Sequence, residues 1–116
     1  MREVRDSPDM KQTVTQIKQQ KYQGATPLMI AISEYKDKGE HLVKDLLRCG
    51  ASAKAVDAMG NSVLHWIVRE NAVRLFHSMI NNGVEFDYYS MNRKGDSPLQ
   101  MAEKLGNREI REVLKL

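Results

Sequence analysis

Four side chains in this sequence are of the types that bind transition metals or act as nucleophile and base: His41, His65, His77 and Cys49. Zinc coordination would need pairs at C-x-x-C or H-x-x-x-H spacing, and covalent catalysis would need a thiol beside a base. None of the four stands at such a spacing from another. There is also no glycine-rich phosphate loop and no G-x-S-x-G elbow. Catalysis is therefore not expected of this chain, and neither is a bound cofactor or metal.

The chemistry that remains is recognition. Tyr88, Tyr89, Met91, Arg93 and Lys94 lie in Glu85–Lys94, a stretch where no helical period demands burial. Tyrosine and arginine are enriched among residues that carry binding energy. Met59 and Asn61 flank Gly60, while Arg69, Glu70 and Lys104 fall near the ends of helical segments. These ten residues are the candidate partner-binding set. Apolar anchors mixed with both signs of charge suggest a partner segment with a hydrophobic centre and an acidic flank. The competing reading of the loop is that one tyrosine folds back over Phe86 and merely closes it. Trp66 is assigned to the core, because its position matches those of Ile30 and Met101.

The elements that must position these residues come in three copies. Gly24-Ala25-Thr26-Pro27-Leu28-Met29-Ile30-Ala31 returns as Gly60-Asn61-Ser62-Val63-Leu64-His65-Trp66-Ile67 and again as Gly95-Asp96-Ser97-Pro98-Leu99-Gln100-Met101-Ala102, with the glycines 36 and 35 residues apart. That period implies stacked units. In each copy a hydroxyl residue can cap a helix, followed in two copies by a proline whose missing N–H costs nothing at the first helical position. A second helix follows in each unit. Its apolar positions are Leu42, Val43, Leu46 and Leu47 in the first, Val73, Phe76, Met79 and Ile80 in the second, and Ile110, Val113 and Leu114 in the third. Gly50 and Gly83 end the first two of these helices, with Cys49 expected half-buried and His41 and His77 facing solvent. Neither helix of a pair can hide its apolar side alone, so the units must stack. The expected fold is all-α, with units at 24–59, 60–94 and 95–116. Residues 1–23 form an extension in which Ser7-Pro8-Asp9 starts a capping helix over about 8–20, with Met10, Val14 and Ile17 on one face.

Composition sets the wider bounds. No run approaches the ~20 apolar residues of a membrane span, and the beginning lacks the apolar stretch of a secretory signal. A lone cysteine fits a reducing compartment, so an intracellular site is expected, cytoplasmic rather than nuclear. The net charge of +3 and pI near 9.1 come from 18 basic and 15 acidic residues without a block of like charge, which disfavours nucleic acid as the partner. A protein partner and a monomeric chain are expected.

The three octapeptides resemble the G-x-T-P-L-H-x-A signature of the ankyrin repeat, and Leu46-Leu47-Arg48-Cys49-Gly50-Ala51 resembles the L-L-x-x-G-A that closes such a repeat. Met79-Ile80-Asn81-Asn82-Gly83-Val84 is a variant of the same closing motif. The resemblance covers 24–116. It implies a solenoid of stacked helix-turn-helix units with β-hairpin-like finger loops, whose fingers and first helices offer a concave groove to a protein partner. Mapped onto this chain, that surface holds Tyr22, Gln23, Ala25, Ser33, Glu34, Ala58, Asp96 and Leu105 beside the candidates above. The resemblance also makes His65 a structural hydrogen-bonding residue. Met29 and Gln100 take its place in the outer units, which removes a polar tie to the adjacent finger. Relative to the family's spacing, three residues are inserted around Lys36–Gly39, and the second finger is two residues longer. The end at Leu116 falls in an apolar helix, which points to a longer parent protein. Short modules with a similar insertion are attached to Arf GTPase-activating proteins, which makes a regulatory segment of a larger enzyme the second reading.

Overall fold

The computed structural model describes residues 24–115. The expected capping helix, Tyr22, Gln23 and Leu116 lie outside the described residues. Among the described residues six α-helices follow one another: α1 (Pro27–Tyr35), α2 (Glu40–Arg48), α3 (Val63–Glu70), α4 (Val73–Asn81), α5 (Pro98–Leu105) and α6 (Arg108–Leu114). No strand occurs among the described residues. An isolated antiparallel bridge between Val56 and Ser62 is what the expected hairpin pairing amounts to.

The starts of α1, α3 and α5 are built alike. Thr26, Ser62 and Ser97 each accept from the backbone N–H three residues on, and the side chain at that third position reaches back to the cap's own N–H. This capping box satisfies two of the donors that a helix start leaves open. The reciprocal acceptor is the Met29 sulfur in the first unit, His65 Nδ1 in the second and Gln100 Oε1 in the third. Three different side chains therefore do the same local work.

The inner helices α1, α3 and α5 pack in a row, and α2, α4 and α6 pair with them on the outside. Between the layers lies one continuous core, with Leu28, Ile32, Leu64, Trp66, Ile67, Phe76 and Ile110 fully buried. Trp66 is in that core as expected. Its indole N–H donates to Asp57 Oδ2 at 3.0 Å, which satisfies the one polar atom that burial would otherwise strand. Leu99, the counterpart of Leu28 and Leu64, is half-buried on α5.

Three expectations are corrected. On α4 the inward face carries Leu75, Phe76 and Met79, while Ile80 is exposed. On α2, Leu42 is exposed and Val43 is the buried residue. Cys49 is exposed, because the chain leaves the helix there and turns outward through Gly50.

Successive fingers approach closely at two glycines. At Gly60 (φ 77°) an added Cβ would sit 3.2 Å from the Arg93 nitrogen, and at Gly24 (φ 71°) one would sit 2.6 Å from the Ala58 nitrogen. Both the backbone conformation and the lack of space require glycine there. The insertion folds as a 3₁₀ turn, Lys36–Gly39, between α1 and α2. Asp37 Oδ1 accepts from the Leu75 N–H at 3.0 Å. The inserted acid thus caps a helix of the next unit, at the end where the helix dipole favours negative charge.

Candidate partner-binding surface

The fingers are pinned before they can present anything. In the first, Asp57 Oδ1 accepts from the Met59 and Asn61 N–H groups, and Asp57 N–H donates to Asn61 O. In the second, Asn92 Oδ1 accepts from Lys94 N–H and Asp96 N–H, and Asn92 N–H donates to Asp96 O. Aspartate and asparagine are suited to this because their short side chains can mimic a backbone turn. The two fingers are then joined: Asn92 Nδ2 donates to Asn61 Oδ1, and Arg93 N–H donates to Met59 O, each at 2.9 Å.

His65 fastens the second finger to the inner helix. Its Nδ1 accepts from the Ser62 N–H at 3.0 Å, so the ring proton is on Nε2, which donates to Asp96 O at 2.8 Å. The ring is neutral. Burial lowers its pKa from the usual value, and the opposing pull of the Asp96 carbonyl and of Asp57, Asp96 and Asp87 is smaller.

Seven of the ten candidate residues divide between two grooves, and Glu70, Met91 and Arg93 line neither. Met59, Asn61, Arg69, Lys94 and Lys104 line one concave groove of about 410 Å³, together with Asn92, Asp96, Met101 and Leu105. Met59 and Leu105 are 45% and 51% exposed. Asn61 contributes little free chemistry, because its amide is committed to Asp57 and Asn92. Arg69 lies over the Trp66 ring, 4.2 Å from the centroid, and 3.8 Å from Glu70. Glu70 also accepts from Ser33 and faces Lys36. Lys104 pairs with Asp96 at 2.8 Å.

Tyr88 and Tyr89 line a different groove, about 570 Å³, with Phe76, His77, Ile80, Ser97, Leu99, Val113 and Leu114. It lies on the outer-helix side, between α4, α6 and the back of the second finger. Tyr88 packs edge-on against Phe86, which in turn packs against Phe76, so one tyrosine does fold back. Tyr89 does not; it is 88% exposed. Met91 and Arg93 are exposed on the finger and line neither groove. The sequence could not separate the two faces, because consecutive loop residues carry no period to assign them. Of the groove residues outside the ten, Asp96 and Leu105 belong to the surface mapped from the resemblance. Asn92 and Met101 do not, and Met101 sits at an inner-helix position where helical spacing alone suggests core.

No group of three or more His, Cys, Asp or Glu among the described residues could hold a metal ion. His41 and His77 are exposed as expected. No helix among the described residues is long and apolar enough to cross a membrane.

The repeated capping boxes, the paired helices and the stacked fingers belong together with one further finding: the family profile described as ankyrin repeats, in three copies, matches residues 28–115. The chain belongs to the ankyrin-repeat family. It is 35% identical over 78 residues to Neurogenic locus notch homolog protein 1 of Danio rerio, a match that takes in 67% of this chain and 3% of that protein. It is 29% identical over 91 residues to NF-kappa-B inhibitor delta of Mus musculus, covering 78% of this chain and 27% of the relative. A putative ankyrin repeat protein of Acanthamoeba polyphaga mimivirus is 26% identical over 91 residues, covering 78% and 12%. The chain thus spans a small part of the length of the curated relatives it matches. Ankyrin repeats are generally modules of protein–protein interaction, and the Arf GTPase-activating setting gains no support from these relatives.

Proposed function

We propose that this chain binds a protein partner through the concave groove formed by its fingers and its inner helices α3 and α5. The observation that carries this reading is the state of the groove's side chains. Met59 and Leu105 stand half in water between rigid backbone elements, although the core beneath them is already filled. Large apolar side chains rimmed by polar ones mark interaction surfaces more often than scattered exposed residues do. The fingers are fixed by hydrogen bonds from Asp57, Asn92 and His65, so little order has to be acquired on binding. The name of the mouse relative says that it inhibits NF-kappa-B; by similarity, the present chain would act by occupying a partner, without catalysis of its own. Tyr88, Tyr89 and Met91 then lie outside this contact, and Arg93, next to Lys94, serves at its rim.

A photocrosslinking amino acid placed at Met59, and separately at His41 on α2, tests the reading in extract from the source cells. A discrete protein adduct is expected from Met59 and none from His41. Adducts of equal yield from both positions, or none from Met59, would remove the groove as the binding face.

A further inference from the structure

Taking the concave groove as the binding face, we infer that its occupant is an acidic protein segment carrying a compact apolar residue between carboxylates. The chain as a whole intersperses its charges, but the cations around the groove outnumber the acids that meet them. Arg69 comes from α3, Lys104 from α5 and Lys94 from the second finger, with Arg93 beside it. The acid in the lining, Asp96, is nearly buried and held by Lys104 at 2.8 Å. Arg93 and Lys94 form no ion pair among the described residues. Their backbone N–H groups are taken up by Met59 O and Asn92 Oδ1, so the fold fixes where these cations start while leaving their heads free. Arg69 and Lys104 are already answered by Glu70 and Asp96, but the adjacent Arg93 and Lys94 are not. Two neighbouring cations without an anion repel one another, and an incoming carboxylate relieves that repulsion while gaining its own attraction.

Between the cations the lining is apolar: Met59, Met101 and Leu105. Methionine adapts its three torsions to irregular shapes, so these residues suit an aliphatic or thioether anchor without demanding one outline. The lining also argues against the other anionic occupant, single-stranded nucleic acid. Such sites stack bases on aromatic side chains. This groove contains none: Trp66 is buried beneath Arg69, and Tyr88 and Tyr89 border the opposite face. An acidic peptide needs no stacking platform.

The test uses the full chain and a fluorescein-labelled synthetic peptide with a leucine–methionine centre between runs of glutamate, read by anisotropy. Binding should weaken as salt is raised, because the pairs it depends on are exposed and are screened within ~10 Å at 0.1 M. The double substitution Arg93→Glu/Lys94→Glu should weaken binding by roughly tenfold or more, since it reverses two charges at the rim. Both side chains are exposed and unpaired, so an unchanged circular dichroism spectrum is expected to show that the fold is kept. Replacing the peptide's leucine and methionine with serine should weaken binding as well, and Tyr89→Ala should not. Equal affinity for a lysine-flanked peptide, or an unaffected double variant, overturns the inference. An oligothymidylate that displaces the peptide and binds more tightly assigns the groove to nucleic acid. If the acidic peptide fails while Met59 still crosslinks a protein, the groove reading stands and the acidic occupant is wrong.

Discussion

The two junctions between neighbouring units are held in different ways. Between the second and third units, polar ties cluster at the finger end: His65 to the Asp96 carbonyl, Asn92 to Asn61 and Arg93 to the Met59 carbonyl. Asn107 Nδ2 adds one at the other end, to Val68 O at 2.6 Å. Between the first and second units, ties are found away from the fingers. Asp37 caps α4, Ser33 donates to Glu70, and Ser78 donates to Glu40 at 2.8 Å, which with Lys44 keeps the Glu40 carboxyl below its ordinary pKa. Met29 occupies the place of His65 in the first unit, but its sulfur reaches only the Thr26 N–H. A histidine has a second ring nitrogen to spend on the next finger; a thioether does not. The inserted turn supplies a brace at the opposite end of the same junction. A repeat can thus lose its inter-finger tie if another segment fastens the stack elsewhere.

Removing His65 should strike hardest. The ring is 1% exposed and serves Ser62 and Asp96 at once. His65→Ala leaves a cavity and strands the Ser62 N–H and the Asp96 carbonyl, which together should cost about 3 kcal/mol. Urea denaturation measures this; a cost below that of Met29→Ala would break the comparison. The same residue sets a pH dependence. Its folded pKa lies below the ordinary value of about 6.5, so between the two the unfolded chain holds a proton that the folded chain refuses. Stability should be level above that value and fall as pH drops beneath it. His65→Gln should flatten that slope.

Next in size is the finger staple. Asn92→Asp keeps the acceptor for the Lys94 and Asp96 N–H groups but removes the donor to Asn61, at a site that is largely buried. The expected loss is about 1–2 kcal/mol, concentrated in faster amide exchange at Arg93 and Asp96. Uniform loss of protection across all three units would mean that the staple is not local to this junction.

How far the sequence disclosed these arrangements follows from what a pattern can encode. The three helix starts were legible because capping is local: Thr26, Ser62 and Ser97 each act within three residues. The stacked helices were legible because burial repeats with the helical period. Asp37 was not. In Lys36-Asp37-Lys38-Gly39 it reads as a polar break, and its partner lies 38 residues away on another helix. Ile80 and Leu75 were misjudged because the apolar stripe of α4 is broad, and a small rotation decides which edge meets the core. The candidate binding residues split for a related reason. Tyr88 and Met59 look alike as finger residues, yet Phe86 draws one behind the fingers and Gly60 presents the other in front.

A smaller effect is expected at the inserted brace. Asp37→Ala removes the Oδ1 that caps the Leu75 N–H and should cost about 1 kcal/mol. Its diagnostic value lies in a double-mutant cycle with Asn92→Asp. If the two junctions are fastened independently, the costs add within about 0.5 kcal/mol, whereas a larger coupling would show that the stack transmits strain from one end to the other.

The smallest effect sharpens the distinction between the faces. Tyr89 is 88% exposed; its backbone N–H, which alanine retains, donates to Asp87 Oδ1 at 3.2 Å. Tyr89→Ala should therefore change stability by less than about 0.5 kcal/mol. Tyr88→Ala, which loses the edge-on contact with Phe86, should cost about 1 kcal/mol. Two adjacent tyrosines in one loop would then differ because one ring continues the aromatic row Phe76–Phe86 and the other leaves it. Equal costs would mean that Tyr89 also closes onto the outer helices, and the groove beside α4 and α6 would be a filled part of the fold.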